Sequence, residues 1–202
     1  GDKNIISQYI PKSLNKDCFV IIDTKDRVEG DDTPLGAAKR GKKTSMWLSI
    51  ESVKEKKADI VISAGNTGAL LVISKLNLKM IEDIDKPALS ALWPNKIGMS
   101  VVLDLGANIE CNEKNLIDFS IMGASIFKSL YPNEKAKVAL LNIGSEEVKG
   151  NELLKNTYQK MSEIKNSNFE FKGFIEGNEL MNGDVNVIIS DGFTGNVALK
   201  TA

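Results

Sequence analysis

One pattern occurs four times in this chain and constrains its fold more than any other feature. A short apolar run ends in a loop of glycine, asparagine and small polar residues, and a helix-like segment follows, at residues 58–70, 100–110, 137–153 and 185–199. The apolar runs are almost continuous in valine, isoleucine and leucine, as expected for strands buried on both faces of a parallel sheet. The pattern predicts an α/β fold.

The four loops also predict a single binding site, because ligands of open α/β sheets lie outside the carboxyl ends of the strands. Glycines there let a ligand approach the main chain, and the N-terminus of the following helix favours an anion. In the first loop we expect Thr67 to cap the helix and Asn66 to face the ligand. A simple helix cap is the alternative for any single loop. The proposed cradle of this loop comprises Ser63, Gly65, Asn66, Thr67 and Gly68.

The last loop has the same form, and we expect Thr194 to cap its helix and Asn196 to lie in the first turn. Asp104 ends the second strand; it either contacts substrate and positions Asn108 or only orders its own loop. Lys149 follows the third strand and either neutralises a phosphate or forms a solvated charge pair. The site residues predicted in these three loops are Asp104, Gly106, Asn108, Asn142, Gly144, Lys149, Asp191, Gly192, Thr194, Gly195 and Asn196.

The composition limits the chemistry. The 202 residues contain no histidine, so Ser-His-Asp and Cys-His catalysis and His-based zinc sites are not available within them. A net charge of −1 argues against a nucleic-acid partner. Two cysteines without paired spacing suggest a reduced, cytoplasmic protein, and there is no membrane-span or signal-peptide pattern.

Arg40, Lys42 and Lys43 form a basic cluster ahead of Thr44. It is either plain surface charge or an anion clamp, with Arg40 reaching the shared site. The segment 36–44 comes close to a phosphate-binding P-loop, but Lys43 replaces the required hydroxyl, and we reject that interpretation. Cys111 is expected to be an inert thiol rather than a nucleophile.

The remaining pattern predicts helices and strands as follows. Helices are expected at residues 4–14, 37–40, 44–57, 67–80, 115–131, 150–164 and from Thr194 onward, with Pro34 as a first helical position. Strands are expected at 18–23, 59–63, 87–93, 100–105, 138–142, 169–175 and 185–190. Both ends look cut, and we expect the sheet to lack a strand supplied by residues outside these 202.

The motifs SAGNTGAL, VVLDLGANIEC, LLNIGSEEVKGNEL, DIDKPALSALWP and SDGFTGNVALKT together closely resemble the phosphate acyltransferase (PlsX) family of bacterial phospholipid synthesis. GDDTPLGAAKRGKKTSM also fits, and the match runs along nearly the whole chain. The resemblance implies a three-layer α/β/α fold with a mostly parallel sheet, similar to phosphotransacetylases and isopropylmalate dehydrogenases. It implies one domain over residues 1–202 that lacks both ends.

The same resemblance implies transfer of a long-chain acyl group from acyl carrier protein to inorganic phosphate, with no cofactor and no metal. It also implies a homodimer, in the cytoplasm, with peripheral contact to the inner membrane surface. On this interpretation Asn196, Asn108 and Lys149 are the catalytic candidates, and the other loop residues and Arg40 bind substrate and phosphate.

The family also has an N-terminal Gly-Gly-Asp-His-Ala-Pro-type loop that is absent from this sequence. Three alternatives stay open: a phosphotransacetylase-type enzyme using acyl-coenzyme A, a metal-dependent hydroxyacid dehydrogenase, and a non-catalytic module that binds acyl carrier protein or a lipid surface. The dehydrogenase would need a cluster of aspartates, and Asp104 and Asp191 alone do not form one.

Overall fold

A computed structural model describes residues 1–164 and 168–202. Its contacts divide the chain into two compact units, Gly1–Ile81 and Glu82–Ala202. The expectation of one domain over the whole chain stays a prediction, and each unit is described by itself.

The first unit contains four helices: α1 (Lys3–Tyr9), α2 (Pro34–Arg40), α3 (Ser45–Lys54) and α4 (Thr67–Leu78). Thr33 caps α2 with Pro34 in its first turn, as predicted, and Thr44 caps α3 by accepting from the backbone N–H of Trp47. A small core joins the last three helices through Ala37, Met46, Ile50, Ala69 and Ile73.

Three predictions for this unit were wrong. The first helix ends at Tyr9 instead of continuing to residue 14, because the residue before Pro11 is held in an extended conformation. The strands expected at 18–23 and 59–63 do not form: Lys16–Cys18 is a 3₁₀ helix, and both segments lack any strand partner among the described residues. A strand needs a neighbour to pair with, and apolar alternation alone does not supply one.

The second unit contains a five-stranded sheet. Its elements in chain order are β1 (Ser90–Asn95), β2 (Gly98–Leu103), α5 (Glu113–Leu130), β3 (Ala136–Asn142), α6 (Glu152–Glu163), β4 (Phe169–Glu176), β5 (Val187–Ile189) and α7 (Gly192–Thr201). The strand order is β1-β2-β5-β3-β4. Only β1 is antiparallel, in a hairpin with β2, so the mostly parallel α/β sheet is confirmed.

Both faces of this sheet are covered, which explains the continuous apolar strands. Val101 and Leu103 of β2 pack with Phe119 and Phe127 of α5 on one face. Val102 of β2 points to the other face, where Ala198 of α7 packs against the same cluster. Helices therefore lie on both sides of the sheet, as in a three-layer α/β/α arrangement. No helix in the described part of the chain is long and apolar enough to cross a membrane.

Candidate functional site

Three of the four glycine-rich loops lie side by side at the carboxyl-terminal ends of neighbouring strands. β2, β5 and β3 are neighbours and run parallel, with Leu103 opposite Ile189 and Ile189 opposite Leu140. Their carboxyl ends lead into residues 104–110, 190–196 and 142–150. The fourth loop, around Gly65–Gly68, belongs to the first unit, and its convergence on the same site stays a prediction.

Asp104 organises the first of these loops and is completely buried. Its Oδ1 accepts from the backbone N–H groups of Leu89, Gly106 and Ala107 at 3.0–3.1 Å. Its Oδ2 accepts from the backbone and side-chain N–H groups of Asn108, both at 2.7 Å. With five donors on its two oxygens, the carboxylate orders its own loop and positions Asn108, and no acceptor capacity faces a ligand.

Asn108 is also committed to structure. Its Nδ2 donates to the backbone oxygen of Pro87 and to Asp104, which uses both amide hydrogens. Its backbone oxygen accepts from Gly192 N at 2.7 Å, which joins the loop to the start of α7. A catalytic role for Asn108 as an N–H donor would require these bonds to break, so the geometry favours a positioning role.

Helix α7 starts two residues earlier than predicted. The expected cap was Thr194, but Asp191 is the cap: its Oδ1 accepts from Thr194 N at 2.8 Å, and the Thr194 hydroxyl donates to its Oδ2 at 2.9 Å. The earlier start depends on Gly192, where a Cβ would lie 2.7 Å from the Asn108 backbone oxygen. Only glycine lets the first turn lie directly against the neighbouring loop.

The two remaining asparagines each use one side-chain hydrogen and keep the other: Asn196 joins two loops, and Asn142 closes its own loop. Asn196 Nδ2 donates to the backbone oxygen of Leu105 at 3.1 Å, and Asn142 Nδ2 donates to that of Lys149 at 3.2 Å. Each amide therefore retains one N–H without a partner among the described residues. Gly106 and Gly150, both with positive φ, leave room for these side chains: a Cβ would lie 2.7 Å from Asn196 and 2.5 Å from Asn142.

Two cations lie near these loops. Lys86, from the segment before β1, donates to the Glu110 backbone oxygen at 2.8 Å, and the other cation belongs to the loop after β3. Lys149 is the single lysine or arginine in residues 104–110, 142–150 and 190–196. Its exposed ammonium group has no hydrogen bond or ion pair to any residue that the structure describes. Gly144 sits beneath it, since a Cβ there would lie 2.9 Å from Lys149 Cγ and 2.8 Å from a Glu146 carboxylate oxygen.

Sequence reasoning missed Ser190, which is buried and directly follows β5. Its hydroxyl donates to the Asp104 backbone oxygen at 3.1 Å, and its backbone pairs with Leu103 and Asp104. A serine between a buried strand and Asp-Gly was the available signal. Sequence reasoning also missed an apolar rim on the three loops, formed by the exposed side chains of Ile109, Ile143 and Phe193.

In the first unit, Asn66 and not Thr67 caps α4. Asn66 Oδ1 accepts from Ala69 N at 3.0 Å, and its Nδ2 donates to the backbone oxygens of Gly30 and Asp32. The side chain expected to face a ligand instead joins α4 to the loop before α2. Gly68 lies close to the start of α2, because a Cβ there would be 2.9 Å from Pro34 Cγ. Gly65 N donates to the Ser63 hydroxyl.

Replacing Asn66 by alanine is expected to lower the free energy of unfolding by about 1–2 kcal/mol, since it removes a helix cap and two further hydrogen bonds. Asn66→Asp keeps the capping oxygen and loses only the bonds to Gly30 and Asp32, so it should cost less. Urea unfolding followed by circular dichroism measures both. Equal, negligible losses would mean that the side chain is not structural and would restore it as a candidate ligand contact.

Arg40 and Cys111 are less available than a site residue should be. Arg40 forms an ion pair with Asp32 and donates to the backbone oxygen of Arg27, so its charge is already compensated. Burial raises the pKa of the Cys111 thiol, with Asp104 and Asp191 adding to the effect against Lys86. A raised pKa favours the protonated form, as expected for the unreactive thiol.

Tyr158 of α6 forms a hydrogen bond with the loop that carries Lys149. Its hydroxyl donates to Glu147 Oε1 at 2.7 Å, and this hydrogen bond, helped by partial burial, raises the tyrosine pKa above its ordinary value. The bond therefore stabilises the fold below the ordinary tyrosine pKa, and this is lost as the pH rises through the higher folded value. In an absorbance titration, Tyr158→Phe should remove a tyrosine that ionises above the ordinary tyrosine pKa. Loss of a tyrosine that ionises at or below that ordinary value would contradict the contact.

Solved structures show the same fold. A phosphotransacetylase from Streptococcus pyogenes superposes with a TM-score of 0.59 at 16% identity, covering 77% of this chain and 53% of that one. The EutD phosphotransacetylase from Staphylococcus aureus gives 0.56 at 17% identity, covering 78% and 54%. At such identities the likeness concerns the fold alone.

Sequence comparisons find relatives of much higher identity than these solved structures. The chain is 75% identical over 202 residues to the phosphate acyltransferase of Pelagibacter ubique (strain HTCC1062), covering 100% of this chain and 60% of that protein. It is 42% identical over 201 residues to the phosphate acyltransferase of Bartonella henselae, covering 99% and 56%. The chain thus spans less than two thirds of the length of these curated relatives. Because the family model described as "Fatty acid synthesis protein" matches residues 1–202, and so includes all four loops, the chain belongs to that family.

Proposed function

We propose that this chain carries the phosphate site of an acyltransferase that moves a long-chain acyl group from acyl carrier protein to inorganic phosphate. The observation that carries the proposal is the unpaired cation Lys149 among loops held rigid by Asp104, Asn142 and Asn196. A rigid, preorganised set of donors is what a reaction with developing negative charge requires. The names of the relatives, phosphate acyltransferase, support the same reaction.

The chemistry suits a chain without histidine. A phosphate oxygen attacks the thioester carbonyl carbon, the C–S bond breaks, and the carrier leaves as a thiolate that takes up a proton from solvent. Phosphate is already a nucleophile, and a thiol with a pKa of about 8.5 leaves without a strong general acid. The protein must therefore align phosphate with the carbonyl and stabilise the oxyanion.

The described residues offer groups for both tasks. Lys149 would bind phosphate as a point charge. The spare N–H of Asn196 and the backbone N–H of Phe193, which has no acceptor among the described residues, would face the oxyanion. Asp104 and Asn108 would act by holding these groups in place.

The apolar rim supports a long acyl group over a short one. Ile143 and Phe193 are 83% and 63% exposed, and Ile109 is 71% exposed on the neighbouring loop. Three large apolar side chains beside a polar site are costly to leave in water, and a hydrocarbon chain would cover them. The rim is the feature that distinguishes this proposal from an acetyl-transferring enzyme.

The remaining partners follow from the same proposal. The exposed Lys42 and Lys43, which have no ion pair among the described residues, would attract an acidic carrier protein, whereas Arg40 is occupied by Asp32. A homodimer working in the cytoplasm, at the inner membrane surface, would deliver the acyl phosphate where phospholipid is made.

The test is a donor comparison on the full-length polypeptide: release of carrier thiol from long-chain acyl carrier protein, with and without inorganic phosphate, beside acetyl-coenzyme A. We expect release that depends on phosphate and forms acyl phosphate. Faster turnover of acetyl-coenzyme A would favour the phosphotransacetylase, a second candidate that the shared fold supports. Binding of the carrier protein without turnover of either donor would leave a binding module.

A further inference from the structure

Lys149 lies in one loop with two carboxylates and pairs with neither. Glu146 and Glu147 come three and two positions before it, and all three side chains are exposed. No ion pair joins them within the described part of the chain. Opposite charges in one turn attract each other even through water, so a free ammonium group here needs a physical reason.

The backbone around Lys149 is fixed on both sides. Its N–H donates to the Glu146 backbone oxygen at 3.0 Å, which closes residues 146–149 into a turn. Its backbone oxygen accepts from Asn142 Nδ2 at 3.2 Å. Gly150 follows with a φ of +87°, and a Cβ there would lie 2.5 Å from the Asn142 side chain. Because the backbone cannot move away, the partners of the neighbouring side chains decide whether the ammonium group stays free.

Tyr158 of α6 binds the Glu147 carboxylate. Its hydroxyl donates to Glu147 Oε1 at 2.7 Å, and no other described residue donates to that side chain. Hydrogen bonds to an ionised acceptor are about twice as strong as bonds between neutral groups. The bond therefore holds the carboxylate against α6, which belongs to a different element from the turn that carries Lys149.

Strand β4 holds the tyrosine ring in place. The ring lies edge-on to Phe171, with ring centroids 5.5 Å apart, and is tilted against Phe174 at 5.0 Å. Gly173, between these two residues, has a φ of +83°, and a Cβ there would lie 3.2 Å from Tyr158 Cε2. Glycine thus leaves room for the ring, and two aromatic contacts orient it. The hydroxyl is a preorganised donor rather than a chance surface contact.

Glu146 has a different place in the loop. Its carboxylate lies beside Gly144, where a Cβ would be 2.8 Å from the carboxylate oxygen and 2.9 Å from Lys149 Cγ. The carboxylate is therefore next to the aliphatic part of the lysine, and it forms no ion pair with the ammonium group. Glu147 is the carboxylate of this loop whose position depends on a partner in another element.

We propose that Tyr158 is a positioning residue: it holds the Glu147 carboxylate on α6 and so keeps the Lys149 ammonium group free to bind an anion. The inference rests on the proposed function for the identity of that anion, inorganic phosphate. Without the tyrosine hydroxyl, the carboxylate two residues before the lysine pairs with it and competes with phosphate. Tyr158 acts through Glu147 and does not itself touch the substrate.

The first measurement follows the lysine itself. Exposed amines of the full-length polypeptide are labelled briefly with an acylating reagent, and mass spectrometry gives the labelling rate of Lys149 relative to the exposed Lys128. Tyr158→Phe is expected to slow the labelling of Lys149 about two- to fivefold, the range that an exposed ion pair supports. The double variant Tyr158→Phe/Glu147→Gln should restore the rate, because its residue 147 carries no charge.

Steady-state kinetics of the same variants separate this inference from the proposed function. Tyr158→Phe should raise KM for inorganic phosphate about two- to fivefold with kcat unchanged, and the double variant should restore KM. A merely structural role of the tyrosine would not be rescued by a second substitution. Tyr131→Phe, which removes a hydroxyl at the far end of α5 from these loops, is the matched control and should change neither labelling nor KM.

The outcomes are distinct. Unchanged labelling of Lys149 in Tyr158→Phe, or slower labelling that Glu147→Gln does not reverse, would overturn the inference. Labelling that is slowed and then restored, with KM for phosphate constant throughout, would support the control of Lys149 by Tyr158. The same result would contradict the proposed function, because the freed lysine would not bind the phosphate substrate.

Discussion

Replacing Gly195 by alanine is expected to lower the free energy of unfolding of the second unit by about 3 kcal/mol, the upper end of overpacking costs. An added Cβ would lie 2.6 Å from the Ser190 hydroxyl and in direct collision with the Asp104 backbone oxygen. Neither group can move freely, because both belong to the loops joined by Asp104 and β5. The helix α7 would have to lift from the sheet.

The measurement is urea unfolding followed by the fluorescence of Trp93, which is buried in the second unit, in a background where Trp47 of the first unit is replaced by phenylalanine. Gly177→Ala is the matched control, since a Cβ there meets nothing within 4 Å, and it should change stability by about 0.5 kcal/mol or less. Similar urea midpoints for the two variants would show that α7 does not pack directly against the ends of β2 and β5.

The fold of the second unit was largely predictable from sequence, for a physical reason. Strands buried on both faces read as continuous apolar runs, and β2, β3 and β5 all follow that rule. Helix α5 was predictable from sequence because it is 18 residues long and carries an apolar stripe along one face. In the first unit the same reasoning predicted strands at 18–23 and 59–63 that do not form, because pairing depends on a neighbour that the local sequence does not reveal.

The convergence of the candidate loops was predictable, but the contacts within them were not. Parallel strand ends must share an edge, so the convergence of three loops followed from the pattern. The choice between Thr194 and Asp191 as cap depended on whether Gly192 could approach the backbone of Asn108, which is a tertiary contact. Asp104 was equally open to ligand or loop contact on sequence alone, and only its complete burial among five donors decides for the loop.

These contacts separate the residues that hold the site from those that would act in it. Asp104 and Asn108 have no free hydrogen-bonding group of the kind a phosphate needs, although their sequence context marks them as strongly as any others. Lys149 and Asn196 retain such groups. Substitutions of the first pair should therefore reduce stability together with activity. Substitution of Lys149, whose side chain makes no hydrogen bond or ion pair with the described residues, should reduce activity alone.

Replacing Lys149 by methionine is accordingly expected to lower kcat/KM for inorganic phosphate by about 10²-fold in the full-length polypeptide, with stability unchanged. Methionine keeps most of the length of the side chain and removes the ammonium group with its charge and hydrogen-bond donors. The effect is large because no other lysine or arginine lies in the three loops, and the neighbouring Lys86 already donates to the Glu110 backbone oxygen. Loss of one preorganised charge or donor at a reacting anion commonly costs this much.

Lys128→Met is the matched control. Lys128 is exposed in the last turn of α5, at the opposite end of that helix from the loop that contains Asn108. Because the charge change is identical, a general effect of removing one positive charge would reduce the activity of both variants alike. A selective rise in KM for phosphate in Lys149→Met would place the ammonium group on bound phosphate, whereas a selective fall in kcat would place it on the transition state. Equal kinetics in the two variants would remove Lys149 from the site and, with it, the cation on which the phosphate proposal depends.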